Sequence, residues 1–163
     1  MASCVTSTLS TKSMQGHSDA DTNLAFRGSS PLNHAASREV ENLALVKLLL
    51  QHGANPNLET LGFFPLYGAA AKGSLKVVEL LLAAGADPNA VNRYGLTALW
   101  RAVEKGHEQV VAVLLKAGAN PDVGGEKASR FRDKPLIVAK KKGHTKIVKL
   151  LEGAGAKQTR RKP

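Results

Sequence analysis

The chain has 163 residues, a formal net charge of +10 at pH 7 and an aromatic content of only 4%. No run of apolar residues approaches the roughly 18 that a membrane span requires, and no apolar signal region follows the N-terminus. The single cysteine, Cys4, has no partner in the chain, which excludes an internal disulfide framework and favours a reducing compartment. We therefore expect a protein without a membrane span that resides in the cytoplasm, the nucleus or both.

The positive charge is concentrated in the last quarter of the chain. Residues 1–122 contain ten Lys and Arg and ten Asp and Glu, whereas residues 123–163 contain thirteen against three. Such an excess attracts an acidic protein, a nucleic acid or an anionic lipid surface. We expect another protein of acidic character as the partner. A nucleic acid is the less favoured alternative, because the basic tail lacks interleaved aromatic residues.

The chain opens with a segment, residues 1–28, that is rich in Ser and Thr and has no sustained apolar period. This composition predicts a disordered leader. Its first eighteen residues contain Lys12 and no acidic residue, which faintly resembles an organellar targeting peptide. The absence of Arg from those residues argues against targeting, and the sequence leaves the question open.

Four copies of one unit follow the leader. Each copy ends in a Gly-Ala pair, and the pairs recur at spacings of 32, 33 and 37 residues. Such a period predicts a solenoid, in which each unit buries its apolar surface against its neighbours. We place a repeat domain at residues 29–157 and a basic tail at residues 158–163. The copies occupy residues 30–57, 64–89, 97–122 and 134–156.

The second copy shows the local rules most clearly. Pro65 suits the first position of a helix, where its missing N–H would be unpaired in any case. Gly73 predicts the end of that helix, and Gly85 predicts the left-handed end of a second one. Between these glycines an apolar stripe with helical spacing predicts the packed face of the second helix. The stripe consists of Leu75, Val78, Leu81 and Leu82.

The unit resembles the ankyrin repeat, whose pattern opens T-P-L-H-x-A, continues through G-H and V-V-x-L-L-L, and ends G-A-D-x-N. The opening motif stands here as Ser30-Pro31-Leu32, Phe64-Pro65-Leu66, Thr97-Ala98-Leu99 and Lys134-Pro135-Leu136. The resemblance covers residues 30–156 and implies an all-α fold with short β-hairpin fingers, an ankyrin-repeat solenoid of stacked helix-turn-helix units. The family's His is replaced in every copy, which puts its hydrogen bonds in doubt. The replacements are Asn33, Tyr67, Trp100 and Ile137.

The third and fourth copies differ in their connection and in their polarity. We predict the helices of the third copy at Ala98–Lys105 and Glu108–Lys116. The link Val123–Asp133 is longer than its counterpart, Gly-rich and then basic, which predicts a mobile finger. In the fourth copy Lys140–Lys142 and Glu152 replace small or apolar residues, as a polar terminal cap requires.

No constellation that would support catalysis is visible in the sequence. There is no nucleophile paired with a base, no set of metal ligands at fixed spacing and no glycine-rich phosphate loop. His107 and His144 share the Gly-His position of two copies, where an imidazole bonds a neighbouring loop, so we expect structural roles. We therefore expect neither an enzyme nor a cofactor-binding protein.

The resemblance implies a function in binding another protein, through the concave face of the first helices and the finger tips. We expect a monomeric, non-enzymatic interaction module that acts as an adaptor, scaffold or inhibitor. The alternative is a nuclear or nucleic-acid-associated regulator that uses the basic last quarter, with Arg160–Lys162 as a nuclear import signal. The candidate contact residues are Leu61, Phe63, Lys72, Arg93, Tyr94, Leu96, Trp100, Arg101, Glu104, Lys105, Phe131, Arg132, Lys141 and Lys142.

Individual residues of the repeats have alternative interpretations. Trp, Tyr and Arg are enriched at binding hot spots, which favours Tyr94 on a finger tip. Trp100 has an alternative role in filling space at a repeat junction. Asn57 and Asn89 resemble sites of asparaginyl hydroxylation in ankyrin repeats, and their alternative role is to bond nearby backbone in the turn.

Overall fold

The computed structural model describes residues 23, 29–38, 43–124 and 133–157. Within them, eight helices form four successive helix-turn-helix pairs, and the predicted all-α solenoid is confirmed. The first helices of adjacent pairs pack on one another, and so do the second helices. The first, or inner, helices are α1 (Pro31–Ala36), α3 (Pro65–Lys72), α5 (Ala98–Lys105) and α7 (Pro135–Lys142). The second, or outer, helices are α2 (Leu43–Gln51), α4 (Leu75–Ala83), α6 (Glu108–Lys116) and α8 (Thr145–Gly153).

Proline, glycine and hydroxyl residues set the ends of the inner helices. Pro65 lies in the first turn of α3, and Gly73 ends that helix with a φ of 73°, in the left-handed region. At the start of α5 the Thr97 hydroxyl oxygen accepts a hydrogen bond of 3.1 Å from the N–H three residues further on. The bounds predicted for the third copy, Ala98–Lys105 and Glu108–Lys116, are confirmed at both helices.

The exposed fractions of equivalent side chains in the outer helices show that each repeat covers part of the outer helix of the next repeat. Val77, Val110 and Ile147 occupy equivalent positions in α4, α6 and α8, and they are 3%, 1% and 0% exposed. Leu45 occupies this position in α2 and is 43% exposed, because no preceding repeat covers it within the described residues. The apolar core is therefore continuous along the solenoid, as nearest-neighbour stacking requires.

Asparagine side chains connect the loops of successive repeats. The Asn57 side-chain amide donates a hydrogen bond of 2.9 Å to the Gly85 carbonyl, and its oxygen accepts one of 2.8 Å from the Asp87 N–H. Asn89 makes the same pair of bonds one repeat further on, at 3.0 and 2.7 Å. These bonds fit the alternative role given to Asn57 and Asn89, that of bonding backbone, although the backbone belongs to the next repeat and not to their own turn.

The same position before and after these two residues is occupied by Asn23 and Asp122. Asn23, which the sequence places in the leader, bonds the Gly53 carbonyl at 3.4 Å and the Asn55 N–H at 2.8 Å. Asp122 accepts a hydrogen bond of 3.0 Å from the Lys157 N–H but, as a carboxylate, has no amide donor. The series therefore begins ahead of the first predicted repeat and ends in Asp122, which can accept the second bond of the pair but cannot donate the first.

Some predictions fall on residues that the structure does not describe. These are the rest of the leader, the basic tail and most of the Val123–Asp133 finger, which includes Phe131 and Arg132. At the C-terminal end of the described solenoid, Lys140 and Glu152 form an ion pair of 3.0 Å on the surface, where a polar cap was predicted. None of the described helices has the length and apolar character needed to cross a bilayer.

Candidate functional site

The first of two hairpin fingers beside the inner helices ends in a strained turn. Thr60 and Phe63 exchange backbone hydrogen bonds of 2.9 and 3.0 Å around the two-residue turn Leu61-Gly62. Leu61 has a φ of 54°, in the left-handed region that Asn or Gly adopts more easily in such a turn. It is also 58% exposed. This finger presents an apolar side chain at its tip at a cost in backbone energy.

The second finger is organised by a buried asparagine. The Asn92 side-chain oxygen accepts hydrogen bonds from the N–H groups of Tyr94, at 3.0 Å, and Leu96, at 2.9 Å. This closes the turn and holds Tyr94 at the tip, where it is 39% exposed. The Arg93 guanidinium lies 4.9 Å from the centroid of the Tyr94 ring, within the range of a cation–π contact.

Three aromatic rings join the two fingers to α3. The Phe63 ring stacks on Tyr67 with centroids 5.1 Å apart, and its centroid lies 5.9 Å from that of Tyr94. Tyr67 is buried, and burial raises the pKa of its phenol. Such ring pairs are stabilising beyond the area that they bury. The cluster therefore holds the fingers in a fixed position relative to the inner helices.

An open groove of about 520 Å³ lies between the fingers and the inner helices α1, α3 and α5. Its apolar part comes from the finger residues and the aromatic cluster. Its charged part consists of Lys72 and Arg101, and no carboxylate lines it. The groove draws on three successive repeats, so it exists only because the repeats stack. We call it the concave groove; its polar end is formed by Ser29, Asn33 and Ser37.

Arg101 is the most constrained cation of the concave groove. Its guanidinium forms an ion pair with Glu104 one turn further along α5, and it lies 5.8 Å from the centroid of the Tyr67 ring. Both side chains of the ion pair are partly buried, at 27% and 20% exposure. Glu104 thus neutralises Arg101 on the groove wall, which leaves Lys72 as the lining cation without an ion pair among the described residues.

The structure brings part of the predicted contact set together. Arg93 and Glu104 touch lining residues, and Lys105 is exposed at the end of α5. Lys141 and Lys142 are exposed on α7, beyond the lining of the groove, and Lys141 forms an ion pair with Asp133. The predicted residues that line the concave groove itself are Leu61, Phe63, Lys72, Tyr94, Leu96 and Arg101.

Two of the predicted contact residues are not accessible. Leu96 and Trp100 are 3% and 2% exposed. The indole N–H of Trp100 donates a hydrogen bond of 2.8 Å to the Asp133 carbonyl, and the Gly124 backbone lies against its ring. The two described ends of the link to the fourth repeat, Gly124 and Asp133, thus lie against the indole. Trp100 fits its alternative role at a repeat junction, and we leave both residues out of the proposed contact surface.

Two positions of the repeat make bonds to a neighbouring repeat: the one where Asn33 replaces the His of the opening motif, and the Gly-His position, which His107 occupies. The Asn33 side-chain amide donates a hydrogen bond of 2.8 Å to the Phe63 carbonyl of the next finger. The imidazole Nε2 of His107 lies 3.2 Å from the Ala71 carbonyl oxygen of the preceding repeat, which matches the structural role predicted for it. These bonds fix the spacing of the inner helices that form the groove.

Groove residues of the first two repeats were absent from the predicted contact set. Asn33 and Tyr67 share the register of Trp100, and Gly68 shares that of Arg101. The register that gave candidates in the third repeat would therefore have found them. Three or more His, Cys, Asp or Glu side chains placed as metal ligands do not occur in the described part of the chain.

The stacked helix-turn-helix pairs, with hairpin fingers on one side, define a helical repeat solenoid. A sequence profile described as "Ankyrin repeats (3 copies)" matches residues 2–92 and 85–162. The chain belongs to the ankyrin repeat family, whose repeats are protein–protein interaction modules. The match starts at residue 2 and thus includes most of the segment assigned to the leader.

Similar proteins share this repeat region. Ankyrin repeat and MYND domain-containing protein 1 of Homo sapiens is 43% identical over 86 residues, which are 50% of this chain and 9% of that protein. B-cell lymphoma 3 protein homolog of Mus musculus is 41% identical over 73 residues, 44% of this chain and 16% of that protein. The chain thus spans less than a fifth of the length of these relatives.

A solved structure gives the same fold. The crystal structure of an ankyrin repeat domain from Acinetobacter baumannii AYE superimposes with a TM-score of 0.71 and 37% sequence identity. The superposition covers 79% of this chain and 66% of that one.

Proposed function

We propose that this chain is a non-enzymatic module that binds a partner protein through the concave groove and the tips of the two fingers. The observation that supports this most is the groove itself. It joins three repeats in one open, largely apolar groove with a volume of about 520 Å³. Concave, mostly apolar clefts of this volume are typical of binding sites. Such a module serves as an adaptor, a scaffold or an inhibitor, depending on what its partner does.

The backbone of the first finger supports the proposal. Leu61 adopts a left-handed conformation and is more than half exposed. The strained backbone and the exposed apolar side chain both raise the free energy of the unbound protein. Strained residues of this kind are concentrated at sites of binding and catalysis. A partner that covers Leu61 would bury its side chain and offset that cost.

The geometry of the groove wall is also suited to binding. The ring stack of Phe63 and Tyr67 and the ion pair of Arg101 hold the wall in place before a partner arrives. A pre-organised surface loses less conformational entropy on binding, so more of its contact energy appears as affinity. Tyr94 at the rim combines a large apolar ring with a hydroxyl, as residues at hot spots often do.

Quantitative affinity capture from the native cell tests the proposal. The full chain and the variants Leu61→Asn and Tyr94→Ala are compared with a matched control, Leu48→Gln, which alters an exposed leucine of the outer helix α2. We expect a protein that the wild type and the control retain equally and that both finger variants lose. Equal retention by all four proteins would overturn the concave groove as the binding surface.

The alternative function, a nuclear or nucleic-acid-associated regulator that uses the basic last quarter, takes second place. Four lysines of that quarter form ion pairs within the described solenoid: Lys134 with Asp122, Lys140 with Glu152, Lys141 with Asp133 and Lys146 with Glu108. Lysines engaged in this way are less available to phosphates. Binding to a duplex oligonucleotide with a steep salt dependence would support the alternative.

A further inference from the structure

All four repeats carry a cation at the same distance from the start of the inner helix. Each cation follows the first residue of its inner helix by seven positions, and all four are exposed. In α3, α5 and α7 this residue is the last one of the helix. We call this set the basic row; it consists of Arg38, Lys72, Lys105 and Lys142.

No acidic residue within the described part of the chain forms an ion pair with the basic row. The one acid of the inner helices, Glu104, is paired with Arg101, and Asp133, just before α7, is paired with Lys141. The charges beside the row are thus neutralised in pairs, while those of the row are not. The described part of the chain therefore presents four exposed cations, one at the end of each inner helix or just after it, without ion-pair partners there.

The helix dipole explains part of this arrangement but not all of it. A cation in the last turn of a helix interacts favourably with the helix dipole, and Lys116 at the end of the outer helix α6 is such a case. Packed helices lie about 8–10 Å apart, which is close to the screening length of about 8 Å at physiological ionic strength. Repulsion between neighbouring exposed cations of the row is therefore largely screened, so the row forms at little cost in stability, and an anionic partner that contacts the cations directly would be attracted to it.

We infer that the basic row binds an acidic, extended peptide segment of the partner, which crosses the inner helices and places an apolar residue against Leu61 and Tyr94. This inference rests on the proposed function of the concave groove. An extended segment in the polyproline II conformation advances about 3.1 Å per residue with three residues per turn, so every third side chain lies on the same face, about 9 Å from the last. This distance matches the inner helices, which repeat about every 8–10 Å. Acidic residues at every third position of the segment would therefore reach successive cations of the row.

The aromatic residues favour a peptide over a single-stranded nucleic acid. Bases bind by stacking on exposed aromatic faces. Here Phe63 stacks on Tyr67, which is buried, and the Arg93 guanidinium lies over the Tyr94 ring. What is left at the rim is the aliphatic side chain of Leu61 and part of Tyr94, which suit an apolar side chain.

The test uses the full chain and a displayed library of random 12-residue peptides. The most enriched peptide is then measured by fluorescence anisotropy against two double variants with equal changes in charge. One is Lys72→Glu with Lys105→Glu, in the basic row. The control is Lys47→Glu with Lys116→Glu, on the outer helices. A twelve-residue oligothymidine is measured in parallel, and circular dichroism verifies that both variants are folded.

We expect enriched peptides that are acidic, have Asp or Glu three positions apart and contain one large apolar residue. The basic-row variant should bind the best peptide at least tenfold more weakly, and the control should bind within twofold of the wild type. Enrichment of neutral or basic peptides, no enrichment at all, or equal binding to both double variants would overturn the inference. Tighter binding of the oligothymidine than of any peptide would overturn it as well.

The outcomes also separate this inference from the proposed function. If neutral peptides are enriched and lose binding in Leu61→Asn and Tyr94→Ala, the concave groove stands as a binding site and the acidic segment does not. If the enriched peptides bind those two variants as well as the wild type, the proposed function fails together with the inference.

Discussion

Leu61 offers a test that separates the stability of the protein from its function. The turn Leu61-Gly62 has positive φ at both residues, 54° and 80°, which is the type I′ geometry that Asn-Gly favours. A left-handed conformation costs a typical L-residue about 1–2 kcal/mol, and Asn tolerates it better. Leu61→Ala removes the apolar side chain and keeps this strain, whereas Leu61→Asn removes the side chain and relieves much of it.

We therefore expect Leu61→Asn to be more stable than Leu61→Ala by about 1 kcal/mol and to remain within about 1 kcal/mol of the wild type. For a domain of this size, about 1 kcal/mol corresponds to a shift of about 2–4 °C in the melting temperature. Differential scanning calorimetry and urea unfolding measure the difference. Both variants should lose partner binding to the same extent, because binding depends on the side chain.

Two results would refute this reasoning. If Leu61→Asn and Leu61→Ala unfold at the same temperature, the left-handed backbone is not a source of strain. If Leu61→Asn is destabilised by several kcal/mol, the leucine is a core residue of the finger, and its exposure has no functional meaning.

Three further predictions concern stability. Trp100→Ala should cost about 3–5 kcal/mol in urea unfolding, because it empties a buried site and removes the hydrogen bond to Asp133; a loss below about 1 kcal/mol would contradict the burial. Val110→Ala should cost about 1–2 kcal/mol and Leu45→Ala clearly less, despite its larger side chain, since only Val110 is covered by a preceding repeat; a larger loss for Leu45→Ala would show that a further segment covers α2. Asn89→Ala should cost about 1–2 kcal/mol and speed amide exchange in the loop of the third repeat, because two bonds between repeats are lost; unchanged exchange there would exclude this role.

Local rules account for the part of the fold that was predicted correctly. Pro65 and Gly73 act within their own helix, so sequence suffices to place the ends of α3. The family pattern then supplied the stacking of the four units. Val77 was missed from the apolar stripe of the second repeat, because its burial comes from the repeat before it and not from its own helix. Burial between repeats is a property of the stack, which the pattern of one copy does not contain.

The candidate site shows a similar division. Tyr94 and Lys72 were found because their position in the repeat unit determines where they lie. For Trp100 the sequence left two roles open, because its burial depends on Asp133 at the far end of the long link, and the length of a link does not reveal where its ends lie. The strain at Leu61 had no signal in the sequence, since a Leu-Gly pair is not typical of its turn. The equivalence of Arg38 to Lys72 was not predicted, because it depends on where the inner helices begin in the structure.

Site-specific photocrosslinking in the native cell tests the central claim most directly. A photoreactive phenylalanine derivative replaces Tyr94 at the rim of the concave groove in one protein, and Leu48 on the outer helix α2 in a control; both positions are exposed. If the concave groove holds the partner, position 94 forms an adduct with a discrete protein, and that adduct disappears in the Leu61→Asn background. Position 48 gives none. An adduct from position 48 alone, or an adduct at position 94 that persists in the Leu61→Asn background, would contradict the account.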